Sequence, residues 1–80
     1  MFRTLVKTES LAIEDRTLSV RYFELRTLRG ARRYSAEILL APGDRIILDD
    51  DSVTNLQLRA ARLAPATVYS RILAARATAA

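Results

Sequence analysis

Two clusters of charged side chains are the first places to look for chemistry. Four arginines, Arg26, Arg29, Arg32 and Arg33, fall within eight positions, and three aspartates occupy positions 49–51. Arginine presents a planar fork of N–H donors that matches phosphate, whereas carboxylate oxygens suit hard cations such as Mg²⁺ and Ca²⁺. The sequence therefore raises two binding hypotheses, one for an anion and one for a metal ion.

Groups for catalysis are scarce. The chain contains no histidine and no cysteine, so its serines and threonines lack the usual base and no thiolate is present. Its two glycines stand far apart and build no phosphate-binding loop. We therefore predict a non-enzymatic protein with no cofactor and no evident small-molecule ligand. A carboxylate-dependent enzyme is a distant third hypothesis.

The acidic cluster favours a structural role over metal binding. Asp49, Asp50 and Asp51 are consecutive, and consecutive residues seldom converge on one ion. The spacing of a calcium-binding helix-loop-helix is absent. Because Ser52 follows, the run suits a helix N-terminus, where side-chain oxygens cap free N–H groups and negative charge complements the helix dipole. We predict no metal site.

The basic cluster supports nucleic-acid binding as an alternative function. Tyr22, Phe23 and Tyr34 lie near the four arginines in sequence, and the chain has a net charge of +4 with a pI of about 10.3. Arginine can contact phosphates while an aromatic ring stacks on a base. The competing interpretation is a solvated hairpin tip whose arginines keep a sheet edge soluble. Acidic residues elsewhere in the chain also dilute any continuous basic face.

Length and composition favour one small domain over residues 1–80. Half of the residues are hydrophobic, which is enough for a core, and the absence of cysteine excludes disulfides and fits a reducing compartment. No apolar run approaches the roughly 20 residues of a membrane span. We expect a cytoplasmic protein without a membrane partner. Heavy use of arginine and alanine is typical of GC-rich bacterial genomes.

The stretch 18–49 predicts an antiparallel meander. In its second run, Tyr34, Ala36, Ile38 and Leu40 alternate with mostly polar residues, as in a half-buried strand. Glycines at positions 30 and 43 suit tight turns, the second as a Pro-Gly type II turn.

Other strand assignments leave alternatives open. The run 18–28 lacks clean alternation, so either a bulge near Tyr22 and Phe23 switches its faces or both faces are partly covered. The β-rich composition of Phe2–Thr8 predicts a strand. A second strand is predicted over Leu11–Ile13, where it would pair with the run 18–28. Segment Arg45–Leu48 is apolar on both faces, which favours a central or covered strand.

The period changes to helical after Ser52. Apolar residues recur at helical spacing from Val53, although a strand over Val53–Arg59 is an alternative. Pro65 is expected to break the helix or start a second one. The predicted fold is α+β: an antiparallel β-meander of three to five strands within about residues 2–49, followed by one or two helices within about 52–77.

Apolar side chains in excess of what a short sheet can cover predict protein contacts. Candidates for the partner-facing surface are Leu58, Tyr69, Ile72 and Leu73. Small chains often bury such surfaces in a symmetric dimer. The leading hypothesis is a small interaction module, homodimeric or bound to another protein, with the arginine hairpin as the nucleic-acid alternative.

Overall fold

The computed structural model describes residues 3–79, which form a four-stranded antiparallel sheet and one helix. The elements are β1 (Arg3–Ile13), β2 (Arg16–Arg26), β3 (Arg32–Ala41), β4 (Asp44–Asp50) and α1 (Val53–Ala79). Each strand pairs with the next along the chain, in the order β1-β2-β3-β4. The α+β class and the meander are thus confirmed. Phe2, the first residue of a predicted strand, lies outside the described residues.

The helix covers one face of the sheet, here called the inner face. The predicted alternation of β3 is confirmed, because Ala36 and Ile38 are fully buried and Tyr34 and Leu40 pack around them. Val20 and Tyr22 of β2 complete the centre of this core with no exposed surface. The hydrophobic effect from this single apolar layer is the main source of stability.

The helix approaches the sheet through a row of residues spaced four apart. Leu56, Ala60, Ala64 and Val68 are all buried. The two alanines at the centre of the row bring the helix backbone close to the strands, since a larger side chain there would hold the two layers apart.

The helix N-terminus is fixed by side-chain hydrogen bonds. The Ser52 hydroxyl accepts from the backbone N–H of Asn55 at 3.3 Å, and its carbonyl accepts from Leu56 N–H at 3.1 Å, so Ser52 is the N-cap. Asp50 accepts from the Ser52 N–H at 3.2 Å. The helical interpretation of Val53–Arg59 is therefore correct, and within the run Asp50 and Ser52 have the predicted structural role at the helix N-terminus.

The expectation that Pro65 breaks the helix was wrong, because α1 continues through it. Proline removes one N–H donor and crowds the carbonyl of the residue four positions earlier, Ala61. Both residues are exposed, so water can solvate that carbonyl. On the opposite side of the helix, burial of Ala64 and Val68 against the sheet keeps the two halves in one continuous element.

Three strand predictions need correction. Strand β1 is continuous from Arg3 to Ile13, where two segments were expected, and its pairing with β2 shifts register between Leu5 and Lys7. The bulge thus lies in β1, opposite Tyr22 and Phe23, while β2 pairs with β3 in regular register and is partly covered on both faces, as the second alternative stated.

The remaining two corrections concern the ends of the meander. Strand β4 lies at the sheet edge, and Ile47 is exposed on the uncovered face, so its apolar pattern does not mark a central strand. Strand β2 ends at Arg26, and Leu28 is fully exposed in the β2–β3 loop. The turn predictions hold, since Gly30 and Gly43 take φ values of 80° and 78°, which glycine adopts without strain.

Candidate functional site

The sheet face away from the helix, here called the outer face, is organised around one buried carboxylate. Glu37 is only 4% exposed, although no second layer of residues 3–79 covers it. Arg21, directly opposite on β2, donates a short hydrogen bond to Oε1. Arg45 and Arg3 place Nη1 atoms 3.5 Å and 3.6 Å from Oε2. We call Arg3, Arg21, Glu37 and Arg45 the arginine cluster.

The electrostatics of this cluster stabilise the charged form of Glu37. The hydrogen bond from Arg21 is the main reason that the pKa of Glu37 lies below its ordinary value, and the nearby Arg45 and Arg3 charges add to it against the opposing effect of burial. One carboxylate faces three guanidinium groups, each about half exposed. The cluster therefore keeps a surplus of positive charge at the surface.

An aromatic ring lies beneath two of these arginines. The Arg3 guanidinium carbon is 3.9 Å from the Phe23 ring centroid, and that of Arg21 is 5.6 Å away. Both distances are within cation–π range. Phe23 is buried on this otherwise open face because the arginine side chains cover it.

Apolar side chains surround the arginine cluster and stay exposed. Leu5, Leu39 and Ile47 each show about half of their surface. Arg33 also projects from this face beside Leu25, with which it pairs across β2 and β3. A cavity of about 330 Å³ lies there, lined by Leu25, Thr27, Arg33 and Asp49. The outer face thus mixes exposed aliphatic groups with cations, unlike the inner face, whose buried centre is mainly apolar.

The four hairpin arginines predicted from sequence do not form one surface. Arg26 and Arg32 pair across the strands and share Glu24, at 3.5 Å and 3.8 Å. Arg29 lies in the loop, and Arg33 projects from the outer face. Within residues 3–79, neither Arg29 nor Arg33 forms an ion pair, so only these two arginines of the hairpin are uncommitted.

The aspartate run is divided among separate contacts. Asp50 accepts from Arg59 at 3.3 Å and from the Asn55 amide at 3.4 Å, and its pKa is lowered chiefly by a hydrogen bond with Asp51. Asp49 pairs with Ser35, so it lies on the outer face. Among the described residues, no group of three or more acidic, histidine or cysteine side chains converges as a metal site would.

The predicted partner-facing residues divide between two sides of the helix. Leu58, Tyr69 and Leu73 are exposed by 59%, 62% and 46%. Ile72, by contrast, is partly buried and packs against the core. At 3.6 residues per turn, positions 58, 62, 65, 69 and 73 form one stripe on the side opposite Ala60 and Ala64. We call this the outward stripe of the helix.

Sequence reasoning missed the arginine cluster. The signal available in the sequence was the alternation of side chains along each strand. Arg21 and Phe23 point to the same face of β2, and Glu37 and Leu39 point to the same face of β3. Only the strand register shows that Arg21 lies opposite Glu37 and that Arg3 and Arg45 reach the same carboxylate from the two edge strands.

Comparison with known proteins does not place the chain in a family. No protein-family model matches it, and neither a curated protein nor a solved structure resembles it significantly. Within the described part of the chain, no helix has the length and apolarity that a membrane crossing requires. Function must therefore be argued from the two surfaces just described.

Proposed function

We propose that the protein is a small non-enzymatic interaction module that self-associates through the outward stripe of its helix. The observation that carries this proposal is the exposure of Leu58, Tyr69 and Leu73 on the side of the helix that the sheet does not use. Exposed apolar side chains aligned on one helix face favour packing against a second helix.

The stripe has the spacing of a self-complementary surface. Positions 58 and 73 are equidistant from the point between Pro65 and Ala66, and so are positions 62 and 69. In an antiparallel pair of helices related by a two-fold axis at that point, Leu58 faces Leu73 of the second copy and Arg62 faces Tyr69. Two aliphatic contacts and two cation–π contacts would then form at once.

The size of this surface sets the expected strength of the dimer. The stripe from Leu58 to Leu73 spans about 22 Å of helix. A single helix pair of that length buries less than the roughly 800 Å² per partner of a standard interface. We therefore expect a dimer that dissociates on dilution.

The test is the solution mass of wild-type protein and of two leucine variants. Leu58→Asp places a charge at both symmetric contacts and is expected to give a monomer. Leu28→Asp is the matched control, because Leu28 is fully exposed in the β2–β3 loop and lies outside the stripe. Sedimentation velocity over a range of concentrations measures the solution mass of the wild type and of both variants.

Two results would count against the proposal. The first is a wild-type protein that stays monomeric at the highest concentration used. The second is a Leu58→Asp variant that dimerises as the wild type does. If Leu28→Asp alone dissociates the dimer, then the hairpin loop and not the helix forms the contact.

Nucleic-acid binding by the arginine hairpin is the second candidate function. It is favoured by the uncommitted side chains of Arg29 and Arg33 and by the net charge of +4. Arg32→Glu combined with Arg33→Glu should abolish binding at this site, and retained affinity would exclude it. A carboxylate-dependent enzyme ranks third, and a cytoplasmic location and a bacterial origin stay predictions.

A further inference from the structure

We propose that the outer face of the sheet binds single-stranded nucleic acid, with Arg3, Arg21 and Arg45 contacting phosphates. This surface includes Arg33 but differs from the hairpin tip formed by Arg26, Arg29 and Arg32, and it lies on the opposite side of the molecule from the outward stripe. The inference therefore does not depend on self-association.

The charge balance of the arginine cluster is the first argument. Neutralising Glu37 takes one arginine, and Arg21 already holds it through a direct hydrogen bond. Arg45 donates a longer hydrogen bond of 3.5 Å to the same carboxylate and Arg3 lies 3.6 Å from it, and both side chains are about half exposed, so their remaining N–H groups are available to another anion. Two surplus positive charges on an open face complement a phosphate backbone.

The stacking geometry is the second argument. Phe23 supports the guanidinium of Arg3 from below at 3.9 Å, which fixes the position of that group. The other surface of a guanidinium held in this way can stack on a base. Unpaired bases present such flat surfaces, whereas the bases of a duplex are stacked on one another and are inaccessible.

The distribution of apolar groups is the third argument. Leu5, Leu39 and Ile47 are exposed around the cluster, so cations and aliphatic surface are interspersed over the four strands. A single-stranded nucleic acid has phosphates and bases that alternate along the chain. Its phosphates can contact the arginines while its bases pack on the aliphatic side chains. A purely acidic peptide would use the arginines but would leave the aliphatic surface without a partner. These features favour a nucleic acid over a purely acidic peptide.

The experiment measures fluorescence anisotropy of a labelled single-stranded DNA of about 12 nucleotides, which is within the usual site sizes. The sheet variant is Arg3→Gln with Arg45→Gln, which keeps Arg21 beside Glu37. The hairpin variant, Arg29→Gln with Arg32→Gln, removes the same charge elsewhere. Circular dichroism and the thermal midpoint establish that both variants fold. If the sheet variant unfolds, Arg45→Gln against Arg29→Gln provides the same comparison.

We expect the sheet variant to bind about tenfold more weakly than the wild type, and the hairpin variant to bind nearly as well as the wild type. Loss of two phosphate contacts should also lower the slope of log affinity against log salt by about 1.4. The duplex of the same sequence should bind more weakly than the single strand.

Several outcomes would overturn the proposal. Absence of wild-type binding at low salt excludes a nucleic-acid site altogether. Equal losses in the two variants indicate binding through net charge alone, and a larger loss in the hairpin variant transfers the site to the hairpin. Polyglutamate that competes as well as unlabelled single-stranded DNA would show a general polyanion surface.

Discussion

The two faces of one sheet are covered by different physical means. On the inner face, apolar side chains are buried beneath a helix about 40 Å long. On the outer face, Glu37 and Phe23 are almost as inaccessible, yet they lie beneath arginine side chains from three strands and not beneath a helix. The same low exposure therefore arises from a fixed layer on one face and from flexible charged side chains on the other.

This difference separates stability from binding. The inner face cannot take a ligand unless the helix is displaced, because the row of Leu56, Ala60, Ala64 and Val68 occupies it. Arginine side chains can rearrange without disturbing the strands, and their outward groups are already hydrated. We expect large stability effects from inner-face substitutions and binding effects from outer-face substitutions.

The largest effect is expected from Ile38→Ala. Ile38 is fully buried on β3, and removing most of its side chain should lower the free energy of unfolding by about 3 kcal/mol through lost burial and the cavity left behind. Ile47→Ala is the control, since Ile47 lies on the adjacent strand and is 53% exposed. Urea unfolding of both variants gives the comparison. Similar losses would show that the outer face is covered in solution.

The second effect concerns the carboxylate beneath the arginines. Glu37→Gln removes the anion that Arg3, Arg21 and Arg45 share and leaves three like charges close together. We expect a loss of about 1–2 kcal/mol in the free energy of unfolding, limited by the exposure of the arginines to water. The measurement is urea unfolding at neutral pH. A loss as large as that of Ile38→Ala would contradict a flexible cover.

The pH dependence of that difference identifies its origin. The pKa of Glu37 is lower in the folded chain, so its contribution is present above the unfolded value of about 4.3 and is lost as the pH falls through the folded pKa. Asp44 and Asp50 also have lowered pKa values, so their protonation in acid destabilises the wild type and the variant alike. The difference in the free energy of unfolding between wild type and Glu37→Gln isolates the contribution of Glu37, and it should shrink below about pH 4.

The third effect is a loss of stability at alkaline pH caused by the ionisation of Tyr22 on the inner face. The Tyr22 hydroxyl donates to Glu9 at 2.5 Å, and burial, followed by this contact, raises the pKa of Tyr22 well above its ordinary value. Its contribution is present below pH 10 or so and is lost as the pH rises toward the folded pKa. Tyr22→Phe should cost about 1 kcal/mol at neutral pH. The difference in the free energy of unfolding between Tyr22→Phe and wild type should shrink at alkaline pH. A difference that stays constant with pH would contradict a stabilising hydrogen bond from the Tyr22 hydroxyl.

Much of the fold was predictable because it depends on local patterns. Alternation over Tyr34–Leu40, the glycines of two turns and the Ser52 cap each involve neighbouring residues. The fate of Pro65 was not predictable locally, since burial of Ala64 and Val68 against distant strands outweighs the cost of proline in a helix.

The arginine cluster required the register of every strand pair. Its members come from positions 3, 21, 37 and 45, one on each strand. A shift of one residue in any pairing would send a side chain to the opposite face. The bulge between Leu5 and Lys7 makes this worse, because it changes the parity of β1 and brings Arg3 to the outer face. A period-two pattern read from the N-terminus cannot reveal that change.

The smallest effect on stability is expected from Arg45→Gln, although it separates the two roles of the outer face most directly. Arg21 retains its hydrogen bond to Glu37, and Arg45 lies 3.5 Å from that carboxylate and is half exposed, so its loss should cost no more than about 0.5 kcal/mol in urea unfolding. Arg71→Gln is the control, because it removes an exposed ion pair between α1 and Asp44, the first residue of β4. If Arg45→Gln is as damaging as Glu37→Gln, then Arg45 is needed to cover the carboxylate and its charge is not surplus. A near-neutral Arg45→Gln would show that Glu37 stays covered without this arginine, as the proposed binding role of Arg45 requires.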